Sequence, residues 1–302
     1  MEAIAILGPG GVGGFVAGAL AHTGKPVVIV ARGTTAAELS ERGIHVDSAA
    51  LGSFSARPRA VETLTEPAQL LFVATKATSL AAALDRIESP PQLVVPLLNG
   101  LEHMRTLRAR FGSGCVAAGT IRIESRSPQP GRVIQTSPTV RVELAADDPQ
   151  LRPSLEPVAR MLERSGIPAR LGGSEAQILW SKLVRLVALA TTTSASGRTL
   201  GFIRSDPEWR VTLEACVAEA AAVAGADGGD VDPVATMAEL DEAHPSLGSS
   251  MQRDLAAGRT PELDAIAGAV LRAGARHGIA CPTIARLSAS IAARAGLEPP
   301  QL

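Results

Sequence analysis

The sequence predicts an α/β domain followed by an all-helical domain. Three observations support this prediction. Short apolar runs with the length and composition of buried strands recur along the first part of the chain, and a glycine-rich turn directly follows the first of them. After Gly172-Gly173 the strand patterns stop and helical patterns fill the remainder. We therefore expect two domains, residues 1–172 and residues 173–302.

The first strand and the glycine-rich turn occupy the first thirteen residues. An apolar, β-branched run, Ala3 to Leu7, leads into Gly8-Pro9-Gly10-Gly11-Val12-Gly13, and a helical pattern then continues towards Gly24. Strand, G-x-G-x-x-G and helix in this order are typical of a Rossmann-like dinucleotide-binding domain. The glycines permit a tight turn, close approach of a pyrophosphate and close helix–strand packing, and the helix N-terminus favours phosphate. The alternative is a tight turn without a ligand.

Arg32 stands at the end of the second predicted strand, Pro26 to Val30. Domains that prefer NAD carry an acidic residue at this strand end, where it binds the ribose 2′-hydroxyl. Here the strand ends in Ala31-Arg32-Gly33 with no acidic neighbour in the sequence. An arginine binds a 2′-phosphate through charge-assisted, often bidentate hydrogen bonds. The sequence therefore favours NADPH, and the alternative is a solvated surface arginine.

Two further buried strands lead into polar residues. The run Leu70 to Ala74 is followed by Thr75-Lys76, and the run Leu93 to Leu98 is followed by Asn99-Gly100. Ligands of open α/β sheets bind outside the carboxyl ends of the strands, so Lys76 and Asn99 are candidate binding residues. A lysine is more often a solvated charge, however, and Asn-Gly is more often a simple turn.

The end of the first predicted domain carries weaker patterns. Residues 131–135 and 139–144 are expected to form a two-stranded extension. Ser154 is expected to cap a helix that ends at Gly166, and residues 167–171 are expected to form the last strand.

The second predicted domain contains only helical patterns. Ser174 is expected to cap a long helix that carries Lys182 and is apolar nearly all round, as in a buried central helix. Helix start and stop signals place four later helices at 206–225, 233–243, 260–277 and 282–295.

Composition excludes several classes of function. The net charge of −1 gives no electrostatic reason to expect binding to nucleic acid or to an anionic membrane. Only 2% of the residues are aromatic, so the chain lacks side chains on which the bases of single-stranded nucleic acid could stack. No apolar run approaches the length of a membrane span. Three dispersed cysteines favour reduced thiols in a cytoplasmic protein, and the five histidines lack metal-ligand spacing. No metal site is expected.

Taken together, the motifs resemble those of the ketopantoate reductases (2-dehydropantoate 2-reductases) over nearly the full chain. The first half supplies the glycine-rich turn, the Arg32 strand end, and the segments around Lys76 and Asn99. The second half supplies three segments in family-like order: Trp180-Ser181-Lys182-Leu183, Ser249-Ser250-Met251-Gln252-Arg253-Asp254 and Glu262-Leu263-Asp264.

The resemblance implies roles for these residues. Lys182 would donate the proton, Glu262 would be its partner in the active site, and Ser250 would bind the substrate. Asn99 and Lys76 would contact the cofactor, and Asn99 and Lys182 would also contact the substrate. Each has a structural alternative: Lys182 as a snorkelling lysine, Glu262 as a favourable charge in a first helical turn, and the Ser249-Ser250 pair as a helix cap.

The chain departs from the family at three positions. The reductases carry asparagines that hold the substrate where this chain has Leu186, Ala190 and Leu200. Arg185, Thr191 or Thr192 are candidates for replacement contacts. The resemblance implies NADPH-dependent reduction of a 2-oxo acid, such as ketopantoate to pantoate. The alternatives are a reductase of a less polar carbonyl compound and a non-catalytic NADPH-sensing protein. A homodimer is a further expectation.

Overall fold

The computed structural model describes residues 3–301 and divides into two compact units. The first unit comprises Met1–Leu98 and His103–Ile178, and the second comprises Asn99–Glu102 and Leu179–Leu302.

Strands within the described residues all lie in the first unit. They are β1 (Ala3–Leu7), β2 (Val27–Val30), β3 (Ile44–Ser48), β4 (Gly52–Ala56), β5 (Arg59–Val61), β6 (Ala68–Val73), β7 (Leu93–Pro96), β8 (Ala118–Arg122), β9 (Ser125–Gln129), β10 (Arg132–Gln135), β11 (Arg141–Ala145) and β12 (Ala169–Leu171).

The main sheet contains five strands in the order β5-β2-β1-β6-β7, and every pair is parallel. Its central strands are near-continuous apolar runs because a parallel sheet is covered on both faces. Ile6, Ile29 and Phe72, from the three central strands, are completely buried. The predicted Rossmann-like α/β fold of the N-terminal part is confirmed.

Two smaller sheets complete the first unit. One has the order β4-β3-β10-β9 and the other the order β12-β11-β8. The expected pairing of residues 131–135 with 139–144 is therefore wrong, because β10 pairs with β3 and β9 whereas β11 pairs with β8 and β12. Adjacency in sequence favours a hairpin, but each of these strands finds partners elsewhere in the chain.

Five helices lie in the first unit: α1 (Gly11–His22), α2 (Gly33–Arg42), α3 (Leu80–Leu84), α4 (His103–Phe111) and α5 (Leu155–Arg164). The prediction that Ser154 caps α5 is wrong. Ser154 already has helical backbone angles and makes no capping hydrogen bond, because a 3-10 turn, Arg152–Ser154, leads directly into the helix.

The second unit is helical, as predicted. The next helix, α6 (Glu175–Ser196), begins in the first unit and continues into the second. It is followed by α7 (Leu200–Ser205), α8 (Pro207–Ala226), α9 (Pro233–Glu242), α10 (Ser250–Ala256), α11 (Ala269–His277) and α12 (Pro282–Ala295).

Side-chain caps define four of these helix starts, those of α6, α8, α9 and α10. Ser174 Oγ accepts a hydrogen bond from the Gln177 amide at 3.1 Å, as the sequence predicts, and the Asp206 carboxylate accepts from the first turn of α8. A π-helical turn, Asp264–Gly268, precedes α11, so the helix expected from residue 260 begins later than predicted. No helix in the described part of the chain is both long and apolar enough to span a membrane.

Candidate functional site

The glycine-rich turn joins β1 to α1 at the carboxyl edge of the main sheet. Gly8 has φ +96°, a left-handed conformation that favours glycine. A Cβ on Gly13 would overlap the Gly8 carbonyl oxygen, so a side chain there would force the helix away from the turn. A Cβ on Gly10, in contrast, would meet no atom within 4 Å. The turn is thus tightly packed at its first and third glycines and open at the second.

The N-terminus of α1 beside Gly10 fits a diphosphate. The first hydrogen bond of the helix runs from the Gly14 amide to the Gly10 carbonyl at 2.8 Å. The amides that precede Gly14 therefore have no acceptor within the helix. Two buried hydroxyls flank the turn, Thr75 beside Gly8 and Ser125 beside Gly11, and neither oxygen has a hydrogen-bond partner among residues 3–301. Open backbone amides and unpaired hydroxyls make this turn suitable for a polar, anionic ligand.

Arg32 lies where the sequence predicts, immediately after β2. It is exposed and serves as the N-cap residue of α2. The structure also brings an acidic residue to this position, Glu62, which follows β5 in the neighbouring position of the sheet. A Cβ on Gly33 would lie 2.8 Å from the Glu62 Oε2 atom. Sequence reasoning missed Glu62 because the order of the strands in the sheet cannot be read from local patterns.

Lys76 follows β6 at the same carboxyl edge and is exposed. It precedes a short 3-10 turn, Ala77–Ser79. The first unit therefore presents two of the predicted binding residues, Arg32 and Lys76, just beyond the ends of sheet strands.

Asn99 and Glu262 are joined by a hydrogen bond. The Asn99 amide nitrogen donates to Glu262 Oε2 at 3.1 Å, although 163 positions separate the two residues in the chain. Glu262 is 8% exposed and Asn99 is partly buried. A nearly buried carboxylate needs donors of this kind, because the burial of an unpaired charge is costly. Glu262 stands at the start of the helical segment that opens with the π-helical turn, where its carbonyl accepts a hydrogen bond from the Ile266 amide at 3.1 Å, so the favourable effect of a charge at a helix N-terminus also applies.

The segment that carries Asn99 is held by two further contacts. Gly100 has φ +84°, and a Cβ there would overlap the Ala265 carbonyl oxygen, so this glycine permits close approach to the π-helical turn. Arg272 binds the Glu102 carboxylate through two hydrogen bonds of 2.8 and 2.7 Å and also binds Asp264. These carboxylates hold the pKa of Arg272 above its usual range. The residues that follow Asn99 are thus anchored to the π-helical turn and to α11, the segment that follows Glu262.

Lys182 lies on α6 and is partly buried. Trp180, two residues earlier, is 1% exposed and donates its indole N–H to Asp227 at 3.0 Å. A Cβ on Gly229 would lie 2.7 Å from the Trp180 Cβ, so the loop after α8 packs directly on this tryptophan. The tryptophan of the Trp180-Ser181-Lys182-Leu183 segment therefore anchors the helix turn that carries the lysine.

Ser249 and Ser250 have different roles. Ser249 is the N-cap of α10, accepts a hydrogen bond from the Gln252 amide at 3.0 Å and also accepts one from Thr193 at 3.0 Å. It is 4% exposed, so the structural explanation applies to Ser249. Ser250, the candidate substrate ligand, begins α10 and is exposed.

The three positions at which the chain departs from the reductases are apolar and largely buried. Leu186 is partly exposed, whereas Ala190 and Leu200 are completely buried. Thr191 and Thr192 do not offer obvious replacements, since each hydroxyl donates to a backbone carbonyl one turn earlier in α6. Arg185 lies 3.6 Å from the Glu239 carboxylate.

Metal binding is not indicated by the side chains. Among residues 3–301, no group of three or more His, Cys, Asp or Glu side chains is arranged to hold a metal ion.

Comparison with known proteins identifies the family. The ketopantoate reductase PanE/ApbA model matches residues 4–148, and its C-terminal model matches residues 176–295. A 2-dehydropantoate 2-reductase of Caulobacter vibrioides is 30% identical, with 98% of this chain and 100% of the relative covered.

Solved structures share the fold over nearly the whole chain. The 2-dehydropantoate 2-reductase of Geobacter metallireducens GS-15 has a TM-score of 0.89 at 23% identity, covering 96% of this chain and 98% of that one. D-mandelate dehydrogenase, solved with NADH and anilino(oxo)acetate, has a TM-score of 0.88 at 21% identity, covering 97% and 98%. The glycine turn, the two-part architecture and these matches together show that the chain belongs to the ketopantoate reductase family of oxidoreductases.

Proposed function

We propose that this protein catalyses the NADPH-dependent reduction of a 2-oxo acid to the 2-hydroxy acid. The observation that carries the proposal is the Asn99–Glu262 hydrogen bond, which fixes a nearly buried carboxylate in the unit that also carries Lys182. Beside a hydride donor, a lysine can stabilise the developing charge on a carbonyl oxygen and supply the proton, and a carboxylate can orient that lysine.

Residues 1–172 would bind the dinucleotide, with the pyrophosphate at Gly8 to Gly13 and the N-terminus of α1. Arg32 would bind the 2′-phosphate, and Lys76 and Asn99 would contact other parts of the cofactor. When bound, NADPH supplies the hydride. The open space beside Gly10 and the unpaired hydroxyls at the turn support this assignment.

Residues 173–302, together with Asn99, would supply the reacting groups. Hydride addition builds negative charge on the substrate oxygen, and the Lys182 ammonium would stabilise that charge and give its proton to the oxygen. Glu262 would orient Lys182 or accept a hydrogen bond from the new hydroxyl and would also border the cofactor. Ser250, Asn99 and Lys182 would bind the substrate.

The choice of lysine at position 182 supports proton transfer. Only three of the 29 basic residues, Lys25, Lys76 and Lys182, are lysines, and two of these lie at proposed site positions. An arginine would bind an oxyanion equally well, but its very high pKa prevents it from giving a proton at neutral pH.

A less polar substrate is the second candidate. The positions that hold substrate in ketopantoate reductases are Leu186, Ala190 and Leu200 here, which removes polar partners for a hydroxylated substrate. A site without such partners favours an apolar substituent on the 2-oxo acid. D-mandelate dehydrogenase shares this fold and was solved with anilino(oxo)acetate, an aryl-substituted oxoacid.

The function is tested by following oxidation of NADPH with a panel of 2-oxo acids. The panel contains ketopantoate, an unbranched aliphatic 2-oxo acid and phenylglyoxylate. Turnover of ketopantoate with the highest kcat/KM supports the family reaction, and a preference for phenylglyoxylate supports the less polar substrate. Binding of NADPH without turnover of any carbonyl compound would indicate the sensing alternative and contradict the proposal.

A further inference from the structure

Two neighbouring strands place residues of opposite charge at the same edge of the main sheet. In the parallel pair formed by β2 and β5, Val30 lies opposite Val61, and the Ala31 amide donates to the Val61 carbonyl at 3.0 Å. Arg32 follows Ala31 in the chain, and Glu62 follows Val61. The strand end that would bind the 2′ position of the adenosine ribose therefore contains a carboxylate as well as a guanidinium.

The Glu62 carboxylate points at the first residue of α2. A Cβ built on Gly33 would lie 2.8 Å from Glu62 Oε2 and 3.4 Å from Oε1, so the carboxylate lies directly beside the first residue of α2. Negative charge at a helix N-terminus is favourable, and a phosphate held by Arg32 would need the same positive region. The carboxylate and the phosphate would therefore compete for it.

Arg86 moderates this charge without removing it. Its guanidinium binds Glu62 Oε1 at 3.0 Å, whereas Oε2 is the oxygen nearest Gly33. The Glu62 side chain is 60% exposed and that of Arg86 is 27% exposed. An ion pair this exposed is weak and screened by salt, so Glu62 keeps part of its negative field at the end of β2.

We propose that Glu62 is a specificity-determining residue that limits the preference for NADPH which Arg32 confers. Its carboxylate repels a 2′-phosphate and accepts a hydrogen bond from the 2′-hydroxyl of NADH. The proposal rests on the proposed function, in that the dinucleotide must bind with its adenosine ribose at the end of β2. Because Arg32 and Glu62 lie at the same strand end, the protein accepts both NADPH and NADH and prefers NADPH only modestly.

The test compares the dissociation constants of NADPH and NADH, measured by fluorescence titration. Glu62→Gln preserves the size of the side chain and removes its charge, and it should raise the NADPH/NADH preference by roughly three- to tenfold, the scale expected of an exposed charge near a phosphate. Glu66→Gln is the matched control. Glu66 has the same charge and is 61% exposed, but it pairs with Arg59 at 2.8 Å. This control should leave the preference unchanged.

Two further measurements separate electrostatics from a general structural effect. Arg86→Gln leaves Glu62 without its counter-charge and should lower the NADPH preference, opposite in sign to Glu62→Gln. The effect of Glu62→Gln should also shrink as salt is raised, because exposed charges are screened. Circular dichroism checks that each variant is folded, and Glu62→Ala replaces Glu62→Gln if the latter does not fold.

The outcomes distinguish the two proposals. If the unaltered protein binds neither NADPH nor NADH, the proposed function fails. If it binds both cofactors and Glu62→Gln, or Glu62→Ala in its place, leaves their ratio unchanged, the role of Glu62 is wrong while the proposed function stands. Equal changes in Glu62→Gln and Glu66→Gln would likewise overturn the specific role of Glu62.

Discussion

The glycine turn of the first unit and the Asn99–Glu262 region of the second are built in different ways. The turn depends on its backbone: the first and third glycines have no room for a side chain, and a Cβ on Gly10 would meet no atom within 4 Å. The other region is made of side chains, because an amide and a carboxylate from distant parts of the chain meet through one hydrogen bond. A side chain added at the first or third glycine would therefore disturb the turn, whereas removal of the Asn99 amide would disturb the second region.

This difference determines how each region should respond to mutation. A methyl group added at a packed glycine of the turn, such as Gly13, should reduce the stability of the fold itself. Truncation of a side chain in the second unit should leave the fold largely intact and impair chemistry. The predictions below test this contrast, starting with the largest expected effect.

Lys182→Ala should lower turnover by roughly 10²–10⁴-fold, the usual contribution of a general acid. Affinity for NADPH should change much less, because the phosphates are assigned to the first unit. Single-turnover hydride transfer, measured beside a cofactor titration, separates the two quantities. Lys25→Ala is the control, since Lys25 follows α1 and has no proposed role. Near-normal hydride transfer in Lys182→Ala would show that the lysine is structural.

Gly13→Ala should lower the free energy of unfolding by about 3 kcal/mol, because its methyl group would overlap the Gly8 carbonyl. Gly10→Ala is the matched variant. Its methyl group meets no protein atom within 4 Å, so the stability of the free protein should change little while affinity for dinucleotide falls. Urea unfolding and cofactor titration measure the two effects. An equal loss of stability in both variants would contradict the predicted difference between Gly13 and Gly10.

The sequence predicted the first of these regions better than the second. A glycine turn is local: strand, turn and helix occupy consecutive residues, and each glycine has a steric reason that can be read from its position. Asn99 was named from its place at a strand end, but the roles of Lys182 and Glu262 came only from family resemblance, because nothing local indicates that residues 163 positions apart form a hydrogen bond. Glu62 was missed for a related reason, since strand order places β5 beside β2.

Secondary structure was likewise predicted well where the signal is local and poorly where it depends on distant segments. The buried strands and the helix start at Asp206 were predicted from local signals that the structure retains. The pairing of residues 131–135 with 139–144 was wrong because both strands have partners in distant segments. Helix α7, of six residues, was missed because so few residues give no clear periodicity, and α10, of seven residues, was indicated only by the helix-cap alternative for Ser249-Ser250.

Asn99→Asp should lower the free energy of unfolding by about 2 kcal/mol at neutral pH. It replaces the donor to Glu262 with a second carboxylate, which leaves a nearly buried charge facing another charge of the same sign. Asn99→Ala removes the donor alone and should cost about 1 kcal/mol. Urea unfolding of the two variants gives the comparison. Equal losses would mean that the added carboxylate is not repelled by Glu262, and no loss in Asn99→Ala would mean that the hydrogen bond contributes little to stability.

The smallest expected effect concerns Asp227, which accepts a hydrogen bond from Trp180 and pairs with His277 at 2.8 Å. Burial raises the pKa of Asp227, but the hydrogen bonds with His277 and Trp180 and the charge of Arg276 outweigh it, so the pKa lies below its ordinary value. A carboxylate with a lowered pKa stabilises the fold above its unfolded-state pKa, near 3.8, and this stability is lost as the pH falls through the folded-state value.

The stability advantage of the unaltered protein over Asp227→Asn should therefore decrease by roughly 1 kcal/mol or less as the pH is lowered from about 5 to about 3. Denaturant midpoints at both pH values measure the change. An advantage that grows on acidification would contradict the assignment of a lowered pKa to this carboxylate.

The placement of Asn99–Glu102 in the second unit limits how modular this protein is. These four residues lie within the sequence of the sheet-containing unit, yet Gly100 packs on Ala265 and Glu102 binds Arg272. A gene fragment that ends after the last strand would encode the loop without the residues that hold it. Exchange of helical units between relatives would likewise have to transfer this tetrapeptide. The two units therefore cannot be exchanged independently, and recombination at a single crossover would separate Asn99 from Glu262.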